Sequence, residues 1–215
     1  MGNELLLKLA DKTLTKDGLR QQVEQDFSLL PVLLEGTRSP KATVRYSCGK
    51  VLMDLSAERP ERLYPYMDAF IGLLESKYRI LTWNALAILA NLAKVDEKHK
   101  FDVVFDKYYS FLNNEYMVTV ANTVGNSGKI ALAKPYLIPR ITAKLLKVEN
   151  VSVTPHLTEE CKRVIAENAI KTFDLFFDKL EEKEEKKVLE FVERQLGSSR
   201  RTLSAKAGNF LEKWR

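Results

Sequence analysis

Helical amphipathicity recurs along nearly the whole chain at an interval of about 40 residues, and this limits the fold more than any other feature. Apolar residues fall at helical spacing in Leu63, Met67, Phe70, Ile71 and Leu74, and again in Phe101, Val104, Phe105, Tyr108 and Leu112. Neither stretch alternates as a half-buried strand would. The pattern predicts ten helices, at 19–36, 40–57, 60–76, 78–94, 97–112, 115–132, 135–147, 157–178, 180–196 and 200–214. Every second helix aligns on one small residue: Cys48, Ala85, Ala121, Ala166 and Ala207. Three residues beyond stand Val51, Ile88, Val124, Ala169 and Phe210; four beyond stand Leu52, Leu89, Gly125, Ile170 and Leu211. A small residue lets neighbouring helices approach, and the larger ones around it fill the layer. The helices therefore pair into hairpins at about 19–57, 60–94, 97–132, 135–178 and 180–214, within one domain covering 1–215.

Prolines punctuate this pattern. Ser39-Pro40 reads as an N-cap followed by Pro at the first helical position, and Pro60, Pro135 and Pro155 stand at comparable starts. Pro31, Pro65 and Pro139 lie inside apolar helical runs, where each is expected to kink its helix.

The run Leu30-Pro31-Val32-Leu33-Leu34, then Ser39-Pro40, then Val44-Arg45, Cys48, Leu52 and Leu55 resembles a HEAT repeat. In the second repeat Leu81-Thr82 replaces the Val-Arg pair, and in the third Phe101 to Leu112 contains no proline. The resemblance spans residues 19–214 and implies an all-α fold, a right-handed α-α superhelix of about five HEAT-like helical hairpins. It also implies a concave face lined by the second helices. Armadillo repeats, which are similar, hold extended peptides with regularly spaced Asn on that face. Leu89-Ala90-Asn91-Leu92-Ala93 is similar to their helix, and Asn91 and Asn126 would be the amides, although Ala87 stands where a tryptophan is expected.

Composition narrows the function classes. Forty-five per cent hydrophobic residues in 215 suffice for a core of domain size. Cys48 and Cys161 are too few for a disulfide framework and lack zinc-site spacing, so no metal or cofactor is expected, and the setting is expected to be reducing and cytoplasmic. No apolar run is long enough to cross a bilayer. Met1-Gly2 opens like a myristoylation signal, but Leu6 stands where that signal needs Ser or Thr. The net charge of +5 sits in the last hairpin, where Arg194, Arg200, Arg201, Lys206, Lys213 and Arg215 face only Glu212 among residues 194–215. Arg194, Arg200, Arg201 and Lys206 thus form a candidate basic patch.

On a helical wheel the positions two before, two after and five after each anchor point away from the buried stripe. They give the candidate partner-binding residues Tyr46, Lys50, Trp83, Thr119, Thr123, Asn126, Asn168 and Lys171. Aromatic rings anchor peptides or bases because a rigid surface is buried at little entropic cost. Complete catalytic constellations are missing. His99 and His156 have no HExxH spacing and no nucleophile partner. Gly125 to Ile130 contains Gly-Lys, but Thr123 replaces the first Gly of a phosphate loop and Ile130 its last Ser or Thr. The mixed charges of Lys179 to Lys187 read as a solvated helix face. The apolar stretch 148–158 either caps the core or meets a partner.

The expected function is therefore a non-enzymatic interaction scaffold for a protein or peptide. The alternative is a nucleic-acid-binding HEAT-like protein related to alkylpurine DNA glycosylases. Those enzymes, by resemblance, use concave aromatics, an Arg and an acid; here Ala87 follows Trp83 by one turn where the acid would stand, and Asp54 is the nearest candidate. The sequence leaves the oligomeric state open.

Overall fold

The computed structural model describes residues 2–215, with Gly2 and Asn3 as backbone only; Met1, and with it the start of the myristoylation-like Met1-Gly2, lies outside the described residues. The chain forms two compact units, one ending at Phe101 and one running Asp102–Arg215. All regular structure among the described residues is helical, apart from one isolated bridge between Thr154 and Leu157.

The first unit holds α1 (Gly2–Ala10), α2 (Lys16–Gln25), α3 (Leu30–Gly36), α4 (Ala42–Glu58), α5 (Pro60–Leu63), α6 (Met67–Leu73) and α7 (Arg79–Leu92). The second holds nearly all of α8 (Lys100–Ser110), then α9 (Met117–Ala133), α10 (Ile138–Leu145), α11 (Glu159–Phe173), α12 (Glu182–Glu193) and α13 (Arg201–Trp214). Helix α1 lies outside the predicted ten: only Leu5 and Leu9 of its apolar residues are fully buried, too short a stripe to stand out. It packs on α3 and α4.

The interior prolines do not kink continuous helices. Residues 19–36 divide at Asp26, whose carboxylate accepts the Ser28 amide, into α2, a 3-10 turn at Phe27–Leu29, and α3 with Pro31 in its first turn. Pro65 likewise lies in the 3-10 turn Tyr64–Tyr66 between α5 and α6, and Pro139 in the first turn of α10. At the start of a helix a missing N–H breaks no intrahelical bond, so the interior cost of about 3 kcal/mol does not arise. Pro60 and Pro135 do occupy first helical positions. Pro40 and Pro155 do not: α4 starts two residues after Pro40, and α11 is capped by Thr158, whose hydroxyl accepts the Cys161 amide.

A short polar turn precedes four of the second helices. Ser39, Ser76, Asn114 and Ser198 each accept, through a side-chain oxygen, the amide two residues ahead, at Lys41, Tyr78, Tyr116 and Arg200. Those four acceptor-bound residues are the N-caps of α4, α7, α9 and α13. The Asx- and ST-type turn fixes the entry of the chain through residues adjacent in sequence. In the first repeat Arg45 adds bonds from Nη1 to the carbonyls of Ser39 and Pro40, at 2.7 and 3.0 Å. In the second, the Thr82 hydroxyl makes the corresponding contact with the Ser76 carbonyl at 3.4 Å, so the departure from Val-Arg keeps a side-chain donor at the turn.

Val44, Cys48, Val51, Leu52 and Leu55 of α4 are buried, as are Leu81, Ala85, Ile88, Leu89 and Leu92 of α7. In α9 the same pattern is Thr119, Thr123, Asn126, Ser127 and Ile130, so the anchor of the third repeat is Thr123 rather than the half-buried Ala121. The hydroxyls disguise it. Thr123 donates to the Thr119 carbonyl and Ser127 to the Thr123 carbonyl, which makes these side chains tolerable in the interior. Ala166 and Ala207 are buried as expected. The 148–158 stretch caps the core: Val148, Val151 and Leu157 are buried, and the loop is tied to the start of α9 by Thr154 Oγ1 to the Glu115 carbonyl at 2.7 Å. Val153 alone of its valines is exposed.

Two glycines test this packing with opposite signs. A Cβ on Gly49 of α4 would lie 2.7 Å from both Leu81 Cδ2 and Asn84 Nδ2 of α7, whereas a Cβ on Gly125 of α9 would meet nothing within 4 Å. Chemical denaturation should therefore show Gly49→Ala destabilising by about 1–3 kcal/mol through overpacking. Gly125→Ala should stabilise by roughly 0.5–1 kcal/mol through helix propensity.

Candidate functional site

In the first unit, α4 and α7 run side by side in the same direction: Arg45 reaches Tyr78, Gly49 lies against Leu81 and Asn84, and Ser56 meets Asn91. Their outward positions hold Tyr46, Lys50 and Met53 on α4 and Ile80, Trp83 and Ala87 on α7; Ile80 is exposed and the others are half-buried. Tyr46 stands edge-on to Tyr78, with ring centroids 6.5 Å apart. The Arg45 guanidinium sits over both rings, 3.6 Å from the Tyr78 centroid and 4.7 Å from that of Tyr46. Arg45, Tyr78 and Ile80 were not among the predicted site residues. The HEAT-like Val-Arg pair held the only sequence signal for Arg45, and it marked fold rather than site.

Lys50 Nζ pairs with Asp54 across one helical turn. Asp54 is thereby the counterion of a neighbour on its own helix, which is what an i,i+4 acid and base do without any catalytic role. Asn91 is not presented to solvent. It is buried, and its Nδ2 donates to Ser56 Oγ of α4 at 2.9 Å, while Ser56 donates to the Met53 carbonyl. The amide links two helices instead of meeting an incoming peptide.

In the second unit the predicted outward column divides. Thr119, Thr123 and Asn126 are buried, because a helix anchored two residues later is rotated by about 200°. Asn126 Nδ2 bonds the Asn122 carbonyl within α9. These three residues are therefore withdrawn from the outward surface. Asn168 is half-buried and Lys171 exposed on α11, as the wheel predicts. Lys171 Nζ is 2.7 Å from Glu167 Oε1.

Half of the basic patch is neutralised within the fold. Arg200 bonds Glu167 through Nε at 3.1 Å and Glu160 through Nη1, and Arg194 grips both oxygens of Glu149. Lys213 and the Trp214 indole share Asp174 Oδ1, and Arg215 pairs with Glu193. Of the four patch residues, Arg201 is exposed and Lys206 half-exposed, and neither makes an ion pair among the described residues. The expected excess is thus mostly spent on docking the last hairpin.

His156 stacks on Tyr116, centroids 4.5 Å apart, and its carbonyl accepts the Met117 amide; the imidazole belongs to the capping loop. The Gly-Lys stretch lies inside α9, where no phosphate loop can form. Among the described residues no group of three or more His, Cys, Asp or Glu could hold a metal ion, and no helix is long and apolar enough to cross a membrane.

Glu167 gives the second unit a measurable pH response. Burial acts to raise its carboxyl, but hydrogen bonds from Lys171, Thr202 and Arg200 outweigh that and hold its pKa down at about 2. A depressed carboxylate contributes stability above its unfolded pKa of roughly 4.3 and loses it as pH falls toward 2. Both cations are partly solvated, so Glu167→Gln should cost about 1–2 kcal/mol at neutral pH. Denaturation at a series of pH values should show wild type and variant converging as the pH drops from 5 to 2; parallel curves would contradict the assignment.

No protein-family model matches the sequence. No curated protein matches it either. Among solved structures, the designed armadillo repeat protein YIII(Dq)4CqI is similar, with a TM-score of 0.62 and 17% identity over 98% of this chain and 92% of that one. An engineered protein is similar with a TM-score of 0.53 and 15% identity over 99% of this chain and 96% of the other. At such low identity the likeness concerns architecture alone. With hairpins of the observed length, shared buried positions and recurring entry turns, the chain has the all-α, armadillo/HEAT-like repeat fold.

Proposed function

We propose that the protein is a non-enzymatic scaffold that binds a protein or peptide segment through the outward faces of its second helices, with α4 and α7 of the first unit as the principal surface. The observation that carries this reading is the adjacency of Tyr46, Met53, Ile80, Trp83 and Ala87, partly or wholly exposed beside the Lys50–Asp54 pair. Rigid aromatic and aliphatic side chains beside a satisfied polar pair suit a contact surface with anchor residues. Asn168 and Lys171 on α11 offer a polar counterpart in the second unit.

The nucleic-acid alternative is disfavoured by the use of Arg194 and Arg200 in docking their own hairpin. Phosphate binding needs cations that can release counterions from the nucleic acid, and within that terminal patch only Arg201 and Lys206 remain for it.

Affinity capture from the native cell, repeated with purified partner, tests the reading. Tyr46→Ala and Trp83→Ala should each weaken partner binding by about tenfold or more, as expected for truncated aromatic anchors. Arg201→Glu with Lys206→Glu should leave it unchanged. Retention of full affinity in both aromatic variants would move the interface elsewhere, and a steep loss with added salt together with DNA or RNA capture would favour the alternative.

A further inference from the structure

The entry end of the α4–α7 surface is unusually cationic. Residues 35–46 and 75–80 carry Arg38, Lys41, Arg45, Lys77 and Arg79 against Glu35 and Glu75. The stacking of Arg45 on Tyr78, with Lys77 Nζ 5.2 Å from the same ring, holds the two segments together. Glu35 is engaged by Arg38 at 3.5 Å, and Asp11, held by the Thr13 hydroxyl, also feels the Lys41 charge. Helices α4 and α7, of 17 and 14 residues, both begin here, and neither has an acid in its first turn. Their N-terminal partial charges therefore add to the cations, with Asp11 and Glu75 as the neighbouring acids outside those first turns. One turn further along each helix the surface becomes aromatic, at Tyr46 and Trp83, with the exposed Ile80 between the cations and Trp83.

We infer that the partner of this surface is an acidic peptide segment whose carboxylates meet Lys41 and Lys77 at the paired helix starts and whose apolar side chains meet Tyr46, Ile80 and Trp83. The inference rests on the proposed binding role of the α4–α7 face and specifies its ligand. Charge complementarity selects acidic over basic peptides. The adjoining apolar residues, and the pairing of Lys50 with Asp54, favour a peptide over a polyphosphate chain, which would need available cations along its whole path.

The test uses a short fluorescein-labelled peptide alternating Glu and Leu, its counterpart with Lys in place of Glu, and labelled oligothymidylate, each titrated by anisotropy into the full chain at low salt. The Glu-Leu peptide should bind and the Lys-Leu peptide should not. Lys41→Glu combined with Lys77→Glu should weaken Glu-Leu binding by about tenfold or more. Both residues are exposed, and acids at helix starts favour the helix, so the loss would not reflect unfolding; circular dichroism checks this. Failure of the Glu-Leu peptide to bind, or equal binding of both peptides, overturns the inference. Binding that survives charge reversal but is lost in Trp83→Ala also overturns it while leaving the proposed face intact. Oligothymidylate binding lost on the same charge reversal, without peptide binding, would assign the cations to nucleic acid instead.

Discussion

Everything in each unit depends on second helices lying close enough to share one buried layer. At α4 and α7 the side-chain ends of Leu81 and Asn84 fill the space over Gly49, where a methyl group would lie 2.7 Å from each and force them to shift. That contact sets which residues of each helix are interior, and so which remain for a partner. Some polar groups between the helices are tied to specific mates, Asn91 to Ser56 in the first unit and the Thr172 hydroxyl to the Val124 carbonyl in the second, whereas the Asn84 amide nitrogen, buried against Gly49, makes no hydrogen bond among the described residues. The mated groups favour the observed register, because shifting either helix would leave a buried amide or hydroxyl without its partner.

The sequence made the repeat interval and fold class legible because most large apolar residues at helical spacing are buried, with exceptions such as Val103 and Leu132 too scattered to hide the period. Cys48 and Ala85 stand in runs of Val, Ile and Leu, and both are buried as their spacing implies. The third repeat was misread by two residues because its interior contains Thr119, Thr123 and Ser127, whose hydroxyls are satisfied by carbonyls of their own helix. Nothing in a hydropathy pattern separates such a threonine from a solvated one. The same gap concealed the fate of Asn91, since its partner Ser56 is distant in sequence.

Charge was the least legible property. The terminal excess of Arg and Lys looked like a surface for an external anion, yet Arg194 and Arg200 find Glu149, Glu160 and Glu167, all contributed by the preceding repeat. A local count sees the cations and misses acids 33 to 45 positions away. The entry end of α4 and α7 carries the opposite lesson: its cations are separated in sequence by a whole repeat and become neighbours only through Arg45 and Tyr78.

The polar turns before α4, α7, α9 and α13 have a consequence for how the protein is made. Each spans only a few consecutive residues and needs no distant partner, so a nascent chain can set the start of a second helix as soon as that segment is free in solution. Hairpins can then dock one after another onto already formed neighbours. Such stepwise docking is compatible with emergence of each unit from the ribosome in sequence order.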